Sequence, residues 1–173
     1  ELNYLQEKYL DQASKLFKND NKYVGFSITA GHPTRKKEIS LKTIVEVANY
    51  FSDKNFIPTF FIEEKYEDKI NTIKAMVKNS YFPEHFVKSS LRNPFLVIAM
   101  GKKLHSAISI NNGIMHMLGL AGTKTAVFFD ENSDKFKPLN DNKSKIYCSS
   151  KSNNKKIIDL TSEDIINFVK DFI

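Results

Sequence analysis

The sequence predicts an α/β domain, a Rossmann-like and mainly parallel sheet with helices on both faces. Three observations carry that expectation. Short apolar runs of strand type alternate along the chain with longer segments of helical period. The stretch from His105 to Phe129 contains a complete βαβ unit. The chain has 173 residues, enough for one sizeable α/β core and too few for two.

The elements follow in order. Leu2, Leu5, Tyr9, Ala13 and Leu16 recur at helical spacing, so residues 2–18 are expected to form a helix that ends at Asn19-Asp20-Asn21. Residues 1–20 are read as a linker helix and 21–173 as the domain with its closing helix. Tyr23 to Ile28 is the first strand. The loop Thr29 to Lys37 combines small residues, a Gly, a Pro and three cations. A helix then starts near Ser40 and buries Leu41, Ile44, Val45, Val47, Ala48 and Phe51. Phe56 to Ile62 is a strongly apolar second strand, and Pro58 argues for an early or edge position. Glu63-Glu64-Lys65-Tyr66-Glu67-Asp68 opens the next helix with acidic residues suited to its first turn. Phe86-Val87 reads as a short strand. Pro94 to Met100 is an apolar helix with Pro94 in its first turn.

The βαβ unit comes next. Ala107 to Ile110 is a buried strand, Asn111-Asn112-Gly113 a polar break, Ile114 to Ala121 an apolar helix, and Thr125 to Phe129 a second strand after Gly122. Asp130 to Asn142 is a polar loop, and 130–156 is the most mobile region expected. Lys145 to Cys148 is a short strand. Leu160-Thr161-Ser162-Glu163-Asp164 carries helix-capping chemistry, and a helix from Ile165 to Phe172 closes the chain.

Composition bounds the partners. Apolar residues at 41% and charged residues at 27% describe a globular domain. No apolar run approaches the length needed to span a bilayer. The net charge of +6 rests on lysine, because only Arg35 and Arg92 are arginines. That excess suits anionic ligands or peripheral contact with an anionic membrane. It also accompanies abundant Asn, Ile and Phe, the signature of an AT-rich genome. No motif supports nucleic-acid binding. Cys148 is alone and fits a reducing compartment, so a cytoplasmic chain is expected, with the inner face of the membrane as the alternative. The chain starts at Glu1 rather than Met, which fits a fragment or a trimmed chain.

Two segments suit an anion. Asn is a preferred N-cap, and the first amides of a helix lack intrahelical partners at the positive end of its dipole. The turn at Asn111-Asn112-Gly113 is therefore a seat for phosphate, although many such turns only reverse the chain. Small residues and cations in the loop 29–37 suit an anion equally well, or form an exposed basic loop. His116 reads either as a boundary histidine or as a functional one. In a parallel α/β sheet both segments fall on the carboxyl edge.

The run Ser109-Ile110-Asn111-Asn112-Gly113-Ile114-Met115-His116-Met117 resembles the Asp-Ser/Thr-Gly-x-x-His signature of family 9 glycosyltransferases, the lipopolysaccharide heptosyltransferases and their relatives. Gly122 to Phe129 looks like the strand that follows it there. Gly25 to Lys37 is similar to the family's first strand and its Pro-Gly-Ala…Lys-Arg-Trp loop. The resemblance covers residues 20–140 and a closing helix. It implies one half of a GT-B architecture: the C-terminal domain, which binds the nucleotide-sugar. The acceptor, a glycan or glycolipid, would be held by a missing N-terminal domain that usually carries the base.

By the same resemblance, Gly113 and the amides from Asn112 to Ile114 would hold the donor pyrophosphate. Asn112 would replace a hydroxyl, His116 would sit near the phosphates, and Lys37 would neutralise the leaving group. Thr29 and Gly31 would line the pocket, with Glu63 or Glu67 near the ribose. No metal or cofactor is implied beyond the nucleotide-diphosphate-sugar donor. Three departures stand out. Asn111 replaces the usual Asp, Asp130 replaces a Gly, and the chain has no Trp. These leave two expectations: a donor-binding transferase domain acting on cell-envelope glycan, or an inactive domain of the same fold with a binding or structural role. A flavodoxin-like nucleotide binder is a third, and the missing G-x-G-x-x-G argues against a dinucleotide enzyme.

Overall fold

The computed structural model describes residues 6–30, 37–139, 141–151 and 155–173. Five strands form one parallel sheet: β1 (Lys22–Ser27), β2 (Phe56–Phe60), β3 (Ser106–Ile110), β4 (Thr125–Phe129) and β5 (Ser144–Cys148), in the spatial order β2-β1-β3-β4-β5. Seven α-helices are described: α1 (Glu7–Leu16), α2 (Leu41–Asp53), α3 (Glu67–Met76), α4 (Pro94–Gly101), α5 (Gly113–Ala121), the single-turn α6 (Ser133–Phe136) and α7 (Ser162–Val169). None of the described helices is long and apolar enough to cross a membrane.

Period-two alternation assigns the strand side chains to two layers. Val24, Phe26, Phe60, Ile108, Ala126 and Phe128 face α2, α3 and α7. Tyr23, Phe61, Ala107 and Leu104 face α1 and α4, and Leu118 joins them from α5. Burial on both faces explains why the strands read as continuous apolar runs. Helix α1 lays Tyr9, Ala13 and Phe17 into the second layer. Phe17 meets Tyr23 edge-on at 4.7 Å.

The edge prediction for Pro58 is met, and its physical reason is visible. Strand β2 lies at one end of the sheet. The Pro58 carbonyl accepts from the Tyr81 amide at 2.8 Å, and the Phe60 amide donates to the Tyr81 carbonyl at 2.7 Å. In a parallel strand the N–H and C=O of one residue point to the same side, so the N–H that Pro58 lacks would have faced outward, away from β1. The expected strand at Phe86-Val87 is not formed. Pro83–Phe86 is a 3₁₀ turn, and the only isolated strand bridge described pairs Thr59 with Tyr81. Pro83 at the first position of the turn and Phe82 packed in the core favour the turn over extension. The polar segment after β4 holds one helical turn, α6, where only a loop was expected.

Helix α7 closes the first layer. Ile165 and Val169 are fully buried against α2, and Phe168 meets Phe128 at 5.3 Å. Its start is held by a complete capping box: Thr161 Oγ1 accepts from the Asp164 amide at 3.2 Å, and Asp164 accepts from the Thr161 amide at 2.9 Å. Thr43 Oγ1, buried in α2, donates to the Leu160 carbonyl at 2.9 Å and fixes the approach to this helix.

The Lys155 ammonium, 2.8 Å away, and the Thr161 donors hold the Asp164 carboxyl down at about 2. A carboxyl lowered in the folded state contributes stability above its ordinary pKa of 3.8, and that contribution is lost as pH falls through about 2. Asp164→Asn should therefore lower the thermal midpoint at neutral pH and leave it nearly unchanged at pH 2. A melting series from pH 7 to 2 measures both.

Candidate functional site

The strand order places a topological switch between β1 and β3. The connection from β1 leads to β2 on one side, and the next strand in sequence, β3, is added on the other side of β1. Chain leaving the carboxyl ends of β1 and β3 therefore diverges and opens a crevice, the place where open α/β sheets bind ligands. Residues Thr29, Ala30, Asn111, Asn112 and Gly113 stand at this crevice.

Asn112 joins its two walls. It is the N-cap of α5, and its Oδ1 accepts from the Met115 amide at 3.0 Å. Its Nδ2 donates to Ser27 Oγ at 2.7 Å and to the Thr29 carbonyl at 3.1 Å. Ser27 Oγ lies 3.1 Å from Asn112 Oδ1 and donates back to it. One amide side chain thus bonds the end of β1 to the start of α5, across 85 residues of sequence. An aspartate could cap the helix but has no hydrogen for the Thr29 carbonyl.

Two further helix-start amides remain. Gly113 and Ile114 are the first two helical residues, whose N–H groups find no intrahelical acceptor. Neither has a partner among the described residues. Gly113 is exposed, and a Cβ built on it would meet nothing within 4 Å. Gly113 thus stands in open space at the positive end of a nine-residue helix, where its N–H and that of Ile114 lack intrahelical acceptors. The far end of α5 is equally well defined: Gly122 takes φ 74°, the left-handed C-terminal turn that favours glycine.

The other predicted residues distribute as follows. Thr29 is buried, and its carbonyl holds Asn112. Asn111 and His116 are half-buried beside the crevice, and Ile114 packs partly into the second layer. Lys37 is exposed and precedes Glu38. Glu38 accepts from the Ala30 amide at 2.8 Å and pairs with Lys69, which fixes the chain at Lys37 to the edge where β1 ends. Gly31 and most of its loop lie outside the described residues. Glu63 is exposed and paired with Lys65 at 2.7 Å. Glu67 is exposed in the first turn of α3. Both follow β2 on the carboxyl edge.

Two features were not anticipated from the sequence. Glu38 and Ser27 act as braces, and their partners are distant enough in sequence to leave no pattern. At the end of β2, burial pushes the Glu84 carboxyl above its ordinary range; Arg92 opposes this and the Glu63 carboxylate adds to it. Arg92 itself pairs with Glu64 at 2.8 Å. The Asp130 carboxylate, expected as a departure, has a structural partner: Oδ1 accepts from the Ile157 amide at 2.8 Å.

No family model matches the sequence, and no curated protein sequence matches it. Solved structures do. A glycosyl transferase family 9 protein from Veillonella parvula superposes with a TM-score of 0.78 at 14% identity, over 97% of this chain and 52% of that one. The E. coli ADP-heptose lps heptosyltransferase II gives 0.73 at 14% identity, over 96% and 51%. The E. coli heptosyltransferase WaaC with ADP gives 0.73 at 10% identity, over 90% and 46%. The chain has the fold of these glycosyltransferase structures over about half of their length.

Replacing Asn112 tests the brace. Asn112→Ala loses the cap and two donated hydrogen bonds, an expected cost of about 2–4 kcal/mol. Asn112→Asp keeps the cap but sets a carboxylate against the Thr29 carbonyl, so it should be no more stable than Asn112→Ala at pH 7. Urea unfolding of the three proteins measures the order.

Proposed function

We propose that this chain is the nucleotide-sugar-binding domain of a family 9-like glycosyltransferase acting on cell-envelope glycan or lipopolysaccharide. The observation that carries the reading is the pair of helix-start amides at Gly113 and Ile114, without a partner among the described residues, at the β1/β3 switch. The fold supports it, because structures that share it belong to proteins described as heptosyltransferases, two of them determined with ADP or an ADP-sugar analogue.

Glycosyl transfer needs a diphosphate to leave as an acceptor hydroxyl loses its proton. Helix-start amides and a cation stabilise the departing charge without demanding a metal. Here Gly113 and Ile114 would supply the amides, with Lys37 as the cation and His116, in the first turn of the same helix, as a further polar group. Glu63 or Glu67 would meet the ribose. The acceptor and the base would come from a second domain, so the chain alone binds donor without turnover. The expected place of action is the cytoplasm or the inner face of the membrane.

The alternative, a domain of this fold without transfer activity, has its own support. Asn111 cannot carry the charge of a carboxylate, and the Asn112 amide is already committed to Ser27, Thr29 and Met115.

Calorimetry with ADP, UDP and GDP tests the reading. Saturable binding of at least one is expected, and silence toward all three at millimolar concentration overturns it. Gly113→Trp should abolish that binding with little change in the thermal midpoint, because the space above Gly113 is open. Lys37→Glu should weaken binding about tenfold or more, as expected when a charge-assisted contact becomes repulsive. Unchanged affinity in both variants would place the ligand elsewhere.

A further inference from the structure

The opposite edge of the sheet carries a feature that donor binding does not use. A cleft of about 420 Å³ opens where β3 and β4 begin and where α4 and α5 end. Lys102, His105, Lys124 and Lys143 line it, with Thr123, Asn142 and Phe172. No Asp or Glu lines it among the described residues, and none of the three lysines has an ion pair there. Asp171, beside Phe172 in the chain, is exposed and unpaired among the described residues. The register Thr125↔Ser144 brings the residues before them, Lys124 and Lys143, to neighbouring strand starts. Adjacent strands are about 4.8 Å apart, so the two lysine side chains leave the sheet from neighbouring positions.

Helix dipoles account for part of this charge. The carboxyl ends of α4 and α5 each carry about half a negative charge, so among the described lining residues three lysines still leave roughly two positive charges. Lys143 donates weakly to the Gly122 carbonyl at 3.4 Å, and Lys124 lies 4.9 Å over the Phe172 ring. Neither contact neutralises an ammonium. His105 senses the crowding: its pKa is lowered by burial first, then by the Lys22 and Lys124 cations.

We infer that this cleft is a second anion site, one that takes a phosphate or diphosphate group between Lys102, Lys124 and Lys143, with Thr123 and Asn142 beside it. The phosphate can belong to a soluble ester or to the headgroup of an anionic phospholipid. The cleft lies at the amino ends of the strands, the edge away from Gly113, so the two sites can be filled independently.

The test is an amide and histidine NMR titration of the chain with inorganic pyrophosphate, which separates the two edges residue by residue. Saturable shifts at Gly122 to Lys124, at Lys143 and at the His105 ring are expected, with the His105 pKa rising as the anion binds. The double variant Lys124→Glu/Lys143→Glu should weaken this response about tenfold or more, since two charge-assisted contacts are reversed. Lys124→Gln/Lys143→Gln serves as a milder variant, and melting curves verify that both remain folded. A second arm uses co-sedimentation with phosphatidylcholine vesicles, with and without phosphatidylglycerol. Binding to pyrophosphate identifies a soluble phosphate as sufficient. Binding only to the phosphatidylglycerol vesicles, lost in the double variants, identifies the lipid headgroup. No response in either arm, or a response at these residues that survives both double variants, overturns the inference.

Discussion

One primary amide holds the carboxyl edge together. The Asn112 side chain accepts from the helix it caps and donates twice to the strand end beside it, and its amide has two N–H hydrogens where a hydroxyl has a single one. Without it, the end of β1 and the start of α5 would each turn polar groups toward a crevice with nothing to fix their separation. With it, the Gly113 and Ile114 amides stand at a defined distance from the chain leaving β1. Glu38 does the same on the other wall, where it accepts from the Ala30 amide and pairs with Lys69. The edge is thus braced from both sides before any ligand arrives. A preorganised set of donors loses little freedom when an anion binds.

The two edges of the sheet differ in kind. At the carboxyl edge the positive character comes from backbone, because helix starts point there. At the amino edge helix ends arrive, and lysine side chains more than offset their partial negative charge. Parallel topology with intervening helices imposes this polarity on any such domain. In this chain Lys102, Lys124 and Lys143 supply that cationic excess.

Much of the fold was legible in the residues because both sheet faces are buried. Runs such as Thr125 to Phe129 and Phe56 to Phe60 are mostly apolar, and Asn or Gly punctuation separates them from the helices. Local chemistry was legible too: the Ser40, Asn112 and Thr161 caps all act at the helix starts where they stand. The segment 80–90 misled because Phe86-Val87 is too short to show a period, and the turn over Pro83–Phe86 is set by how Phe82 packs. At the site, the cap role of Asn112 follows from three neighbouring residues, whereas its bonds to Ser27 and Thr29 join positions 83 and 85 residues apart. Contacts of that range leave no trace in local pattern. The same holds for Asp130, whose partner Ile157 lies 27 residues on.

The treatment of β2 has a consequence for how molecules of this chain meet one another. An open sheet edge offers a row of backbone groups to any passing strand, and edge-to-edge association is the common route to aggregation. On the β2 side that row is interrupted where Pro58 has no hydrogen to offer, and the groups flanking it are already taken by Tyr81. Strand addition is blocked there by one residue and a single bridge, without a covering helix. A ladder growing from copy to copy meets no such proline at β5, whose strand runs from Ser144 to Cys148.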